Sequence, residues 1–434
     1  MKRRILITGC GVISPIGCTP EAVWESLEQG HSGVVPLASV PTVTLPVKAG
    51  GEVSAFTGKI DDFGELEATT KKSIRKGLKV MCREIQMGVA AAQLALANSR
   101  LDLSACDLQR VGVVFGSDYI MTLPDEFAAG VAACRDEAGQ LHLEDWPSRG
   151  MPQVTPLWLL KYLPNMPACH VAIYNDLRGP NNSLTVREAS ANLALAEAYS
   201  TISRDSADQL LVGGTGSRIH PLRTVHTVLQ EEVAAGDGDP ATLSRPFDAQ
   251  RRGMVIGEGA ATLMLEEATH AERRGATVWG ELLGYGSSAV MGRDGIADRG
   301  KAIANAMRQA LAMAELSPDQ VGHVNAHGLA TRTGDVAEAA AIAEVFQGAA
   351  APVPVVAAKS YFGNLGAAGG MVELICSLLA LRHGTLFQTL NCDDLDPECP
   401  ISVVREAGVP AGSTVLNVNV TPQGQAAAVV VGRA

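Results

Sequence analysis

A layered α/β fold is predicted by three features of the 434-residue chain. Short apolar runs of strand character alternate with stretches of helical spacing along its whole length. Hydrophobic residues make up 47%, ample for a large buried core. With 45 glycines and only 19% charged residues, the composition fits a tight interior and excludes a disordered chain.

The elements follow in order. RRILITGCGVISPIG reads as a buried strand stopped by Gly and Pro; its basic start and apolar run resemble a leader segment, but the run is too short. TPEAVWESLEQG reads as a helix, with Thr19 as cap and Pro20 in its first turn, and Ala22 denies it a full capping box. Residues 81–99 carry Ala and Leu at helical spacing, and RVGVVFGSD (110–118) is a buried strand. PSRGMPQVTPLWLLKYLPNMPA reads as an extended excursion with a short helix, of the kind that builds a substrate or subunit surface. HVAIYNDLRGPNNS reads as a strand that turns into the Ala-rich helix of GPNNSLTVREASANLALAEA (179–198), and QLLVGGTGS (209–217) as another strand. The second part repeats the rhythm: strand-like ATVWGELLGYGSSA, helical GIADRGKAIANAMRQALAMAEL, strand and turn VGHVNAHG, glycine-led helix GNLGAAGGMVELICSLLALRH, and a closing pair STVLNVNV and QAAAVVVG. Element order suggests two halves, 1–255 and 256–434, without a high-identity internal repeat.

A net charge of -11 argues against nonspecific nucleic-acid binding as a main role and leaves local basic patches open. Nine cysteines without metal-ligand spacing suit a reducing cytoplasm, and no stretch approaches the 18 apolar residues of a membrane span. Gly213, Gly214, Gly257 and Gly259 belong to no complete phosphate loop, so no cofactor or metal is implied. The basic run KKSIRKGLK (71–79) reads either as a landing place for an acidic partner or as an ordinary solvated helix face.

Several motifs then coincide: ITGCGVISPIG, RVGVVFGS, GPNNS before a helix, SRPFDAQRRGMVIGEGAATLMLEE (244–267), VNAHGLATRTGD (324–335) and KSYFGNLGAAGGMVE (359–373). In this order, over nearly the whole chain, they resemble the β-ketoacyl-acyl carrier protein synthases of the thiolase superfamily. The resemblance is greatest to the type II ketosynthases and the chain length factors that pair with them. It implies a thiolase-like fold of two similar halves in five αβαβα layers, and work on phosphopantetheine-linked acyl thioesters of an acyl carrier protein in fatty-acid or polyketide assembly. It also implies a dimer, either a homodimer or a heterodimer with an intact ketosynthase.

Carried over residue by residue, the resemblance places Glu188 where the family has its cysteine nucleophile, with Arg187 in place of a small residue. No cysteine lies between Cys169 and Cys376 to substitute. His327 matches the first family histidine, and Asn364 stands where a second is usual. Lys359, Asp335, Glu338 and Glu373 match the supporting polar framework. Val420, Thr421, Pro422 and Gln423 replace a glycine-rich gating loop, and Pro422 removes one backbone donor.

The residue types leave several roles open. At a helix N-terminus a thiolate gains nucleophilicity and stabilisation, whereas a carboxylate would give a mixed anhydride, so ordinary condensation is not expected. Glu188 as a general base, with His327 and Asn364 polarising a thioester, would allow hydrolysis or noncovalent acyl transfer. Decarboxylation of a malonyl group asks for donors around the enolate, which an ionised Glu188 opposes. Thr185 and Glu188 also have the spacing of a capping box, which would make Glu188 structural. A noncatalytic chain-length-factor-like partner of an active ketosynthase is the leading expectation; an independent thioester enzyme is the alternative.

Overall fold

The computed structural model describes residues 3–433. Its strands are β1 (Ile5–Ile13), β2 (Val35–Pro36), β3 (Ala49–Gly51), β4 (Val111–Ser117), β5 (Asn181–Leu184), β6 (Gln209–Ser217), β7 (Ile256–Glu267), β8 (Gly280–Ala289), β9 (His323–Asn325), β10 (Pro354–Val356), β11 (Ser402–Val403), β12 (Thr414–Val420) and β13 (Gln425–Gly432). Eleven of them run in the order β11-β10-β9-β12-β13-β8-β1-β7-β6-β4-β5, and β2 and β3 attach at the side.

The two ends of this order echo one another. On one side β5, β4 and β6 pair in parallel, and β7 and β1 add antiparallel. On the other, β10, β9 and β12 are parallel, with β13 and β8 antiparallel. β1 meets β8 at the centre. Strand β7, the first element after residue 255, therefore lies among the strands of the first half.

The α/β architecture expected from the sequence is observed. Strands β1, β4, β6 and β7 are buried along their full length, as sheets covered on both faces must be. The Arg83–Ser99 helix packs on β1, β6 and β7 from one outer side, and the Arg299–Ala314 helix on β8, β13 and β12 from the other. Between the two half-sheets lie the helices Ser190–Ser203 and Gly369–His383, each touching strands of both halves. This gives the five-layer order helix, sheet, helix, sheet, helix. Two glycines seat the outer helices. A Cβ on Gly11 would fall 2.1 Å from the Ala91 carbonyl oxygen, and one on Gly286 2.1 Å from that of Ala306.

One local expectation fails. HVAIYN, read as a strand, belongs to a helix, Met166–Asn175. Pro167 presets its first turn, and the buried Ala168 and Val171 are spaced by three, a helical interval that the β-branched residues obscured. The strand begins later, in NNSL, as the parallel edge strand β5. No helix among the described residues is long and apolar enough to cross a membrane.

Candidate functional site

The site forms where the two central helices begin. After β5 the chain makes a single 3-10 turn, Arg187–Ala189, and enters the Ser190–Ser203 helix. Arg187 adopts a left-handed backbone, with φ of 49°, at a cost of roughly 1–2 kcal/mol. The turn sends the Glu188 side chain inward, where 1% of it is exposed.

There the carboxylate meets Arg218, the residue after β6, whose side chain has no exposed surface. Glu188 Oε1 accepts from Arg218 Nη2 and from Asn364 Nδ2, the latter at 3.2 Å. Glu188 Oε2 lies 3.5 Å from Arg187 Nε. Glu231 closes the cluster, taking Arg187 Nη2 at 2.5 Å and Arg218 Nη1 at 3.2 Å on one oxygen. Burial pushes the Glu188 carboxyl up, but Arg218 and then Arg187 outweigh it and hold it below the usual carboxylate range.

The capping box expected of Thr185 and Glu188 is not formed. The Val186 amide donates to Ser190 Oγ at 2.8 Å, and the Glu188 carboxylate turns away to Arg218. A charge pair in a dry interior outweighs a helix cap that any hydroxyl can supply.

Asn364 is rigid. Its Oδ1 accepts from the Gly366 amide at 3.0 Å, its own amide donates to Val255 at 2.7 Å, and its carbonyl accepts from Gly257 at 3.0 Å. Asn364 thus ties down a glycine-rich turn as well as contacting Glu188.

His327 sits on a second polar group. Glu338 accepts the His327 amide at 2.6 Å and the Gly328 amide at 2.8 Å, which fixes the loop after β9. Lys359 forms an ion pair with Glu373. Asn419 Nδ2 donates to Glu373 Oε2 at 2.8 Å, and its Oδ1 accepts from Asn192 at 2.9 Å, which sets the amide's orientation. Lys359 Nζ and Asn419 Nδ2 each lie 3.4 Å from His327 Nδ1. Two donors facing Nδ1 make it the acceptor and leave the proton on Nε2. Burial first, and then Lys359, push the His327 pKa well down, so the ring is neutral.

Asp335 stands further back. It accepts from the amides of Phe247 (2.8 Å) and Thr331 (3.1 Å), and it ties two loops together. Val420 through Gln423 lead into a closed hairpin turn, in which the Thr421 amide donates to Gln425 at 2.9 Å and the Gly424 amide to Thr421 at 3.0 Å. Val420, Thr421 and Pro422 line a cavity of about 20 Å³ with His327, Arg299 and Thr331, space for one water.

The structure thus gathers Glu188 with Asn364, and His327 with Lys359 and Glu373, while Asp335 and Glu338 brace the loops. Sequence reasoning missed Arg218, Glu231, Asn419 and Asn192. The signals were there: Arg218 directly follows the buried run QLLVGGTGS, and LNVNV sets two asparagines into an otherwise apolar strand.

Residues 2–271 match the family model described as beta-ketoacyl synthase, N-terminal domain, and residues 279–393 match its C-terminal domain. The chain is 32% identical over 405 residues to 3-oxoacyl-acyl-carrier-protein synthase 2 of Vibrio harveyi, covering 93% of this chain and 92% of that one. Among solved structures it resembles a beta-ketoacyl synthase from Burkholderia phymatum STM815, with TM-score 0.85, 27% identity and full coverage of both chains. It also resembles the ishigamide ketosynthase/chain length factor, with TM-score 0.82, 26% identity and full coverage of both chains.

Proposed function

The chain belongs to the beta-ketoacyl synthase family, and from that premise we propose that it is a cysteine-less member acting as a chain-length-factor-like partner of an active ketosynthase. The setting is fatty-acid or polyketide assembly. The observation that carries the reading is the burial of Glu188 against Arg218, at the helix start where the resemblance places the thioester nucleophile. A carboxylate locked in an ion pair is a poor nucleophile and a poor base. The same pair suits a scaffold, because it fills the position with neutralised charge while the layered core around it is kept. In this reading the chain forms a heterodimer with a cysteine-containing ketosynthase and shapes the space available to the growing acyl chain, while the partner takes the thioester from the acyl carrier protein.

The test is co-expression with a cysteine-containing ketosynthase from the same gene neighbourhood, followed by native mass spectrometry and analysis of product length. A stable one-to-one complex, with products that depend on this chain, supports the proposal. Two folded proteins that fail to associate would sink it.

The neutral imidazole of His327 favours a second reading, in which the chain acts alone on acyl or malonyl carrier-protein thioesters. Its Nε2–H is a donor suited to a thioester or enolate oxygen. Glu188-dependent release of carbon dioxide or free acid, without a second protein, would establish that reading instead.

A further inference from the structure

We propose that Arg218, Arg187 and Asn364 form a binding site for a small carboxylate, and that Glu188 is its built-in occupant. This stands whether or not the chain pairs with a ketosynthase.

The donors are held by groups other than Glu188. Arg218 is fixed by its backbone, whose amide donates to Gly257 at 2.9 Å and whose carbonyl accepts from Thr224 at 2.9 Å. Glu231 bridges Arg218 Nη1 and Arg187 Nη2, so it keeps both guanidinium groups in place. Asn364 is fixed by Gly366, Val255 and Gly257. Removing the Glu188 carboxylate therefore leaves two cations, one anion and an oriented amide donor, with Arg218 and Asn364 fully buried and Arg187 18% exposed. A forked guanidinium is the group best matched to a carboxylate's two oxygens.

The present occupant does not use every donor. Glu188 Oε2, Arg187 Nε and Arg218 Nε have no hydrogen-bond partner among the described residues, although Oε2 and Arg187 Nε are 3.5 Å apart. Tethered to its own backbone, the Glu188 carboxylate leaves the Nε donors of Arg187 and Arg218 unused. A free carboxylate of the size of formate or acetate carries no such tether. In the native chain the site is filled from within and excludes outside carboxylates, including one carried on an acyl group.

The experiment compares thermal unfolding of the full-length protein, Glu188→Ala, and the double variant Glu188→Ala with Arg218→Met. Each is melted in sodium chloride and in sodium formate at equal ionic strength. Glu188→Ala should gain a saturable rise of about 2 °C once formate exceeds its Kd tenfold. The native chain and the double variant should not respond. An equal response in all three would overturn the proposal. If Glu188→Ala is unfolded in chloride, recovery of its near-ultraviolet circular dichroism in formate supports the site. Failure to recover, while the double variant folds, overturns it.

Discussion

Glu188 and Arg218 pair at the head of the Ser190–Ser203 helix with 1% and 0% of their side chains exposed. Two charges removed from water so completely are tolerated only as a unit, because each is the other's main compensation for lost hydration. The relationship links a turn in the first half of the sequence to the end of β6 and, through Asn364, to the glycine-led segment before the Gly369–His383 helix.

Breaking this unit is expected to be expensive and non-additive. Glu188→Ala or Arg218→Met alone should each destabilise by about 3–5 kcal/mol, because a buried charge is left without its partner. The double variant should cost much less than the two losses added together. Urea unfolding of the four proteins closes the cycle. A double variant as damaged as the sum would show that the two residues act independently.

The site also fixes how stability depends on pH. Glu188 has its folded pKa lowered from 4.5, since Arg218 and Arg187 overcome the effect of burial. Its contribution is complete above about pH 4.5 and is lost as pH falls toward the folded value. Glu338 has the opposite sign: burial, only partly offset by the Gly328 and His327 amides, raises it from 4.5 to about 8. The folded state then binds the extra proton, so this group's contribution declines as pH rises from 4.5 through about 8. Glu338→Gln should flatten that decline while leaving the acid limb in place. An unchanged slope in urea midpoints across the neutral range would contradict this assignment.

His327 should remain neutral, with its proton on Nε2, across the physiological range. Lys359 opposes protonation of the ring, second only to burial. Lys359→Met should therefore move the His327 pKa upward. Nitrogen-15 NMR of the imidazole reads both tautomer and titration. A native ring protonated on Nδ1 would contradict the arrangement of Lys359 and Asn419 around it.

Much of the fold was legible because its elements announce themselves by period and by punctuation. The closing pair STVLNVNV and QAAAVVVG is an antiparallel hairpin, as its alternation with an intervening Pro and Gly suggests. HVAIYN misled because Val and Ile favour strands on propensity, while Pro167 and the three-residue spacing favour a helix. At the site, Glu188, Asn364, His327 and Lys359 were picked out by the family motifs they fall in. Their partners were not, since a buried ion pair is a contact across 30 residues for Arg218 and the asparagine contact between Asn192 and Asn419 spans 227. One-dimensional spacing carries no record of such distances, so Glu188 read equally well as a helix cap until its partner was seen.

Glu188→Cys would place a thiol at a helix start beside Arg218, and a neighbouring cation favours the thiolate. The variant should nevertheless make no β-ketoacyl product from acyl- and malonyl-loaded carrier proteins. Condensation also needs donors that stabilise an oxyanion, and the turn at 420–424 has few to give. The amides of Thr421 and Gly424 donate within the turn, and Pro422 has none. Asn364, at the position where the resemblance places a second histidine, offers an amide that exchanges no proton, and its Oδ1 is held by Gly366. Mass spectrometry after mixing the variant with both loaded carriers separates the steps. Acylation of the introduced thiol without product would place the block after thioester formation, whereas no acylation would place it at the first tetrahedral oxyanion, which needs the same donors. Substantial condensation by the single variant would mean that the nucleophile alone divides this chain from an ordinary synthase.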